Sequence, residues 1–243
     1  MKNKKAYKHL IFDADHTLLN YLADEREAFK GLYQELGLLQ TEELMSWSRH
    51  LSESIWTAAG LYDVHSERIQ REYHALYRSH VTGIFEEVFS KYPCKATPRE
   101  AGERFLKLLE RESVLMDGAA EILSALSKNT GGRYAVSIAT NGLSSIQRGR
   151  LSRLLAYADN VFISEELGCI KPLPAFFEAA LNTLSASADE CLMIGDSLSS
   201  DIAGANAVGM DSCWFNGRGL ENDTSIRPKY EITKLSKLRD LLL

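Results

Sequence analysis

No cysteine pair in this sequence has the spacing of a zinc or redox site. Cys94, Cys169, Cys191 and Cys213 stand far apart, with no CxxC and no compact His/Cys cluster. That argues against a structural zinc site and a dense disulfide framework, and makes a reducing cytoplasm the expected setting. Basic charge is also short: 28 Lys and Arg face 33 Asp and Glu, a net charge of −5. A surface that neutralises nucleic-acid phosphates needs the opposite balance, so no nucleic-acid partner is expected, whereas a small charged metabolite fits. Long apolar runs are missing too. After the basic start MKNKK, Asp13 cuts the first run too early for a signal peptide or membrane span, and those lysines read as a solvated end. There is no internal repeat and no low-complexity segment. What remains is 243 residues, 45% of them hydrophobic. That is enough for one large domain, or for a main domain with a smaller one inserted.

The apolar pattern changes along the chain. After a first strand near residues 9–13, residues 22–92 contain no convincing strand. Ala28, Phe29, Leu32, Tyr33 and Leu36 recur at helical spacing and Gly37 is suited to end that helix. Leu44, Trp47, Leu51, Ile55 and Ala58 mark a second helix, with Thr41 as its cap and Gly60 at its close. Ile69, Tyr73, Leu76 and Tyr77, then Ile84, Phe85, Val88 and Phe89, continue the pattern. Thr97, Pro98 and Glu100 spell the start of another helix with a capping box. From Asp117 onward, helices alternate with the apolar segments YAVSIAT, NVFIS, ECLMIGD and DSCWF. Helices near 144–155, 173–184 and 200–208 lie between them, a βαβαβ pattern that predicts a parallel sheet. The roughly 120 residues between the first and second strands far exceed a crossover, so an all-helical insertion is expected there.

Parallel sheets bind ligands at the carboxyl ends of their strands. The polar residues at those ends form a set: Asp13, Asp15 and Thr17 after the first strand, Thr140 and Asn141 after the next, Lys171 after the third, Asp196 and Asp201 after the fourth. Side chains two apart in an extended chain share a face, so Asp13 and Asp15 crowd like charges. Several carboxylates with one lysine suit a divalent cation and a phosphate held together, and Mg²⁺ favours such hard oxygen donors. Taken singly, each residue has a plainer role. The aspartates can cap turns and helices, Lys171 can be a surface lysine, and Asn141 can be a turn former.

Together, LIFDADHTLL, VSIATNG, GCIKP and LMIGDSLSSD resemble, in order, the four motifs of the haloacid dehalogenase-like hydrolase superfamily. The stretches ISEELGCIKPLPAFFEAAL and TNGLSSIQRGRL resemble the branch with bacterial pyrimidine 5′-nucleotidases. The resemblance implies an α/β fold with a Rossmann-like parallel core, residues 1–19 and 96–243, and an inserted all-helical cap, residues 20–95. It implies a hydrolase, a phosphatase of a small phosphorylated metabolite such as a nucleoside monophosphate. Asp13 would then be the nucleophile that becomes an aspartyl-phosphate, and Asp15 the general acid and base. Asp13, the Asp15 main-chain carbonyl and Asp196 would hold Mg²⁺. Lys171, Thr140 and Asn141 would bind the phosphate, with Asp201 and Thr17 supporting them. His16 stands where the family often has an acidic residue or glycine, and reads as a solvent-facing spacer.

Other readings of the same pattern are a sugar-phosphate phosphatase, a phosphomutase, or a phosphorylatable signalling or binding module. The long helical insertion argues against a signalling module, which needs no lid over a substrate. A dehalogenase fits less well, because halide loss does not need the proton that Asp15 can supply. In the insertion, Trp47, Trp56, Tyr62, Tyr73 and Tyr77 fall at helical spacing, so most are expected in its core rather than on a nucleobase.

Overall fold

In the computed structural model, which describes residues 6–243, strand β1 (His9–Phe12) lies in the interior of a parallel sheet. The basic start read above as a solvated end falls outside the described residues. Leu10 and Phe12 pack on one face of the sheet and Ile11 on the other. Both faces are covered, which is why the strand reads as an unbroken apolar run. The sheet continues with β2 (Ala135–Thr140), β3 (Asn160–Ile163), β4 (Cys191–Gly195), β5 (Asp211–Phe215) and β6 (Tyr230–Ile232). Its order is β3-β2-β1-β4-β5-β6, with every neighbour parallel.

The four later strands expected from sequence are present. β6 was not expected, because three residues are too few to display a period. Phe12 pairs with Ile138 on one side and Ile194 on the other, so the carboxyl ends of β1, β2 and β4 lie at the same edge of the sheet. The chain builds outward through β2 and β3, then returns to place β4 beside β1. That reversal makes the β1/β4 edge the switch point where such sheets open a crevice.

The described helices are α1 (Tyr21–Leu36), α2 (Glu42–Ala58), α3 (Glu67–Lys91), α4 (Pro98–Leu109), α5 (Ala119–Leu126), α6 (Ser144–Arg150), α7 (Ser164–Leu167), α8 (Pro174–Leu184), α9 (Ala203–Ala207) and α10 (Leu238–Leu242). They divide between two compact units. One holds the sheet and comprises residues 1–20, 115–141 and 151–243, of which the first five are not described; the other comprises 21–114 and 142–150.

In the sheet unit, Ile122, Leu126, Leu235 and Leu238 cover the face bearing Leu10 and Phe12. Phe176, Phe177, Ala180 and Ala205 cover the face bearing Ile11 and Met193. Each such large apolar side chain contributes about 1.5–3 kcal/mol by leaving water. The helix expected over 200–208 begins instead as a wider π-type turn, Leu198–Ile202, before α9.

The second unit is all-helical. Gly37, at φ +70, ends α1 in the left-handed region open to glycine. The Thr41 hydroxyl accepts from Leu44 N at 3.2 Å to cap α2. At α4 the Thr97 hydroxyl accepts from Glu100 N at 3.3 Å, and the Glu100 carboxylate accepts from Thr97 N at 2.8 Å. The expected boundary at residue 95 falls inside this unit. Phe105 of α4 packs at a tilt against Phe29 of α1 and Phe85 of α3, with centroids 4.6 and 5.8 Å apart, and this aromatic core groups α4 with the helices before it.

Helix α6 belongs to the same unit although it follows β2. Its Arg150 is 1% exposed and donates to Asp24 Oδ2 from Nε at 3.1 Å and from a terminal nitrogen at 2.7 Å. Among the aromatics expected in this core, Tyr73 and Tyr77 are buried, Trp47 and Trp56 half-buried, and Tyr62 exposed. Trp56 meets the edges of Tyr73 and Tyr77 at 6.1 and 5.4 Å, so these rings pack on one another.

Candidate active site

The sheet fixes Asp13 first. One residue beyond β1, its N–H donates to Ile194 O of β4 at 2.8 Å, which places its side chain at the switch point. The loop that follows is held by the backbone. Ala14 O accepts from Leu18 N and Leu19 N, both at 2.8 Å, and His16 N donates to Leu19 O at 2.8 Å. This tight turn drives His16 to φ +63. Left-handed backbone strains most side chains but is tolerated by Asn, Asp, His and glycine. His16 is therefore a half-buried turn residue rather than the solvent-facing spacer expected. Thr17, expected to support the site, is buried in this loop, and its hydroxyl has no hydrogen-bond partner among the described residues. Asp15 sits half-buried in the same loop, bridged to Leu19.

Lys171 crosses from the loop after β3 and is 2% exposed. Its Nζ donates to Asp13 Oδ1 at 2.6 Å, Asp201 Oδ1 at 2.6 Å and Ala139 O at 2.8 Å. An ammonium has three protons, and all three are engaged here. Two of them go to carboxylates and one to the β2 main chain. Burial works against its charge, but Asp13 and Asp201 outweigh that and hold the ammonium above the usual lysine range. Both oxygens of Asp201 are engaged, since its Oδ2 accepts from Ser197 N at 3.1 Å. Gly195 permits this approach, because a Cβ there would overlap Asp201 Oδ2.

Asp13 Oδ2 differs from these atoms. It is buried and has no hydrogen-bond partner among the described residues. Burial lifts the Asp13 carboxyl to about 7, with Asp201 and Asp15 adding to the rise and Lys171 opposing it. Asp196 is pushed well above the ordinary carboxylate range by burial and then by the charges of Asp13 and Asp201. One oxygen from each of Asp13, Asp196 and Asp201 falls in a group spanning no more than 4.8 Å. An orphaned buried carboxylate oxygen within a set of hard donors fits Mg²⁺, and Asp13 and Asp196 would hold it.

Thr140, 1% exposed, ends β2 at the same edge. Asn141 follows, and its side chain is spent on Lys171: Oδ1 accepts from Lys171 N at 2.8 Å and Nδ2 donates to Lys171 O at 3.0 Å. Two residues of the edge were missed in the sequence. Trp214, level with Gly195 across the β4/β5 pair, donates its indole N–H to Asp196 O at 2.8 Å. Arg218 is exposed in the loop after β5, and its charge reaches the Asp196 carboxylate. The glycines flanking Arg218 in NGRG signal a turn, but which strand that turn adjoins depends on sheet order.

Among the described residues, no helix is long and apolar enough to cross a membrane. A family model for haloacid dehalogenase-like hydrolases matches residues 7–209, which include all four loops bearing the expected site residues. The chain is 32% identical over 239 residues to pyrimidine 5′-nucleotidase PynA of Streptococcus pneumoniae, covering 97% of this chain and 95% of that one. It is 27% identical over 236 residues to pyrimidine 5′-nucleotidase YjjG of Escherichia coli, covering 96% of each. The solved structure of the HAD-hydrolase YfnB of Bacillus subtilis, bound to magnesium, matches with a TM-score of 0.82 at 29% identity, covering 98% of this chain and 99% of that one. With its motif loops on the Rossmann-like sheet and an inserted helical unit, the chain belongs to the haloacid dehalogenase-like hydrolase family.

Proposed function

We propose that the protein is a Mg²⁺-dependent phosphomonoester hydrolase that works through an aspartyl-phosphate on Asp13, with a pyrimidine nucleoside 5′-monophosphate as substrate. The sheet unit is the catalytic core and the helical unit its cap. The observation that carries this reading is the division of one carboxylate. Asp13 Oδ1 is tied to Lys171, while the buried Oδ2 has no hydrogen-bond partner among the described residues. A nucleophile needs a lone pair not already committed to a donor. The substrate class draws on the names of the nucleotidase relatives, and the four free cysteines agree with a reducing cytoplasm.

The Asp13 Oδ2 lone pair forms a bond to phosphorus as the ester P–O bond breaks. Asp15, as the acid, gives its proton to the departing alkoxide, and as the resulting base takes a proton from the water that next attacks phosphorus. The bond from phosphorus to Asp13 then breaks, releasing phosphate and restoring the carboxylate. General acid and base help of this kind is worth about 100- to 10,000-fold. Lys171 holds Asp13 in one orientation and offsets its charge, and the Thr140 hydroxyl donates to a phosphate oxygen. Asp13, Asp196 and the Asp15 carbonyl would hold Mg²⁺, which would supply the positive charge that lets an anionic phosphate approach a carboxylate.

The test is a phosphate-release screen over nucleoside monophosphates and sugar phosphates, with Mg²⁺ and with chelator. Preferred release from pyrimidine nucleotides that needs Mg²⁺ and vanishes in Asp13→Asn is expected. A sugar-phosphate preference would overturn the substrate class, and wild-type rates in Asp13→Asn would overturn the nucleophile.

A further inference from the structure

Lys171 lies in a loop, outside any helix or strand, so no regular ladder holds its main chain. Buried peptide groups need partners, and one neighbour supplies both. The planar amide of Asn141 accepts from Lys171 N at 2.8 Å and donates to Lys171 O at 3.0 Å. Two residues earlier, Ala139 O accepts from Lys171 Nζ at 2.8 Å. The carboxyl end of β2 thus grips Lys171 at its backbone and at its tip, and between those points the side chain has little freedom. The tip sits at 2.6 Å from both Asp13 and Asp201, distances that tolerate little displacement.

We propose that Asn141 is a positioning residue for Lys171, its amide fixing the lysine main chain so that the ammonium is delivered between Asp13 and Asp201. The inference rests on the catalytic reading above and extends it, since it gives the Asn141 side chain a role that acts through the lysine. The chemistry at this position is demanding. Aspartate keeps an acceptor for Lys171 N–H but turns an oxygen toward Lys171 O, and alanine or serine cannot span both groups.

Supporting groups of this kind typically change activity by about 10- to 100-fold. Asn141→Ala is therefore expected to lower kcat by about 10- to 100-fold on the preferred substrate, with KM nearly unchanged. In a Lys171→Met background the same substitution is expected to cost less than about twofold, because sites acting through one partner are not additive. If Asn141→Ala does not fold, Asn141→Asp is read in the same way. A second readout does not depend on turnover. In protein labelled with ¹⁵N-lysine, the buried ammonium gives a proton–nitrogen signal assigned by its loss in Lys171→Met, and that signal is expected to shift or broaden in the Asn141 variants.

An unchanged kcat, a loss of equal size in both backgrounds, or an unaltered ammonium signal would each overturn the proposal. Should the wild type release no phosphate from any compound, the catalytic reading fails, while the ammonium signal still decides the role of Asn141.

Discussion

Replacing Lys171 by Met removes the one ammonium lodged between Asp13 and Asp201 and leaves two buried carboxylates facing each other. Lys171 and Asp201 are 2% and 1% exposed, so water cannot take over the lost charge. Breaking a buried pair by removing one partner costs about 3–5 kcal/mol, against about 0–1 kcal/mol for a surface pair. For a chain of this size that is a fall of about 6–20 °C in Tm.

The sign of the pH effect follows from Asp13, which burial already lifts to about 7 in the presence of the lysine. Without Lys171 that value rises further. A folded-state value above the unfolded one favours folding at low pH, where the carboxyl is protonated, and this advantage is lost as pH rises through the folded value. The deficit of the variant is therefore largest near pH 8 and shrinks toward about pH 5.5. Saturating Mg²⁺ should recover more stability in the variant than in the wild type, since ligand bound only to the native state adds about 2.7 kcal/mol at 100 times Kd and the emptied site is the more negative one. Urea unfolding at the two pH values, with chelator and with Mg²⁺, measures each difference. A loss below about 1 kcal/mol near pH 8 in chelator would refute the argument, because it would make the pair behave as a solvated one.

Asp15→Asn is expected to slow hydrolysis of alkyl phosphates far more than that of p-nitrophenyl phosphate, whose leaving group needs no proton; equal losses would count against the acid role. Trp214→Phe removes the indole donor to the Asp196 carbonyl and is expected to weaken Mg²⁺ binding by about 10- to 100-fold in calorimetry without substrate, an unchanged affinity speaking against it. Arg150→Met takes both guanidinium donors from the buried Asp24 Oδ2, so a loss of about 3–5 kcal/mol is expected in urea unfolding, and less than about 1 kcal/mol would reject the pairing as a support of the helical unit. Because burial and neighbouring charges raise Asp13 and Asp196, Mg²⁺ must displace protons below about pH 7. Its affinity should fall with pH there, by about tenfold per unit for each proton displaced, and a flat profile would contradict the lifted carboxyl.

The sheet was legible because strands buried on both faces are written as short apolar runs, and because the residues ending them are polar. Asp13, Thr140, Lys171 and Asp196 could be collected at one edge without coordinates for that reason. What stayed hidden depends on sheet order and on backbone angles. Trp214 lies far along the chain from Asp13 and touches the site only because β5 pairs with β4; it also falls beyond the segment that the family model matches. The place of α6 could not be read, since Arg150 looks like any basic residue at a helix end until Asp24 is found against it. His16 is a dihedral angle that no side-chain pattern announces. The resemblance places Lys171 on the phosphate, and the saturation of its three protons by Asp13, Asp201 and Ala139 is a matter of distance alone.

That saturation bears on why the site needs two kinds of cation. Three carboxylates with oxygens no more than 4.8 Å apart repel one another by at least about 3.5 kcal/mol per ionised pair at an effective dielectric near 20. Lys171 answers this for Asp13 and Asp201, the two carboxylates it touches, and its third proton goes to Ala139 O. Asp196 is not among its hydrogen-bond partners, and Asp13 Oδ2 has none among the described residues. A second cation, one that can leave part of its coordination to a phosphate, is what the remaining charge selects. The aspartates of FDADH are therefore tolerated by two compensations that differ in kind. A fixed ammonium holds Asp13 Oδ1 still, and in the proposed mechanism an exchangeable metal would make Oδ2 approachable by an anion.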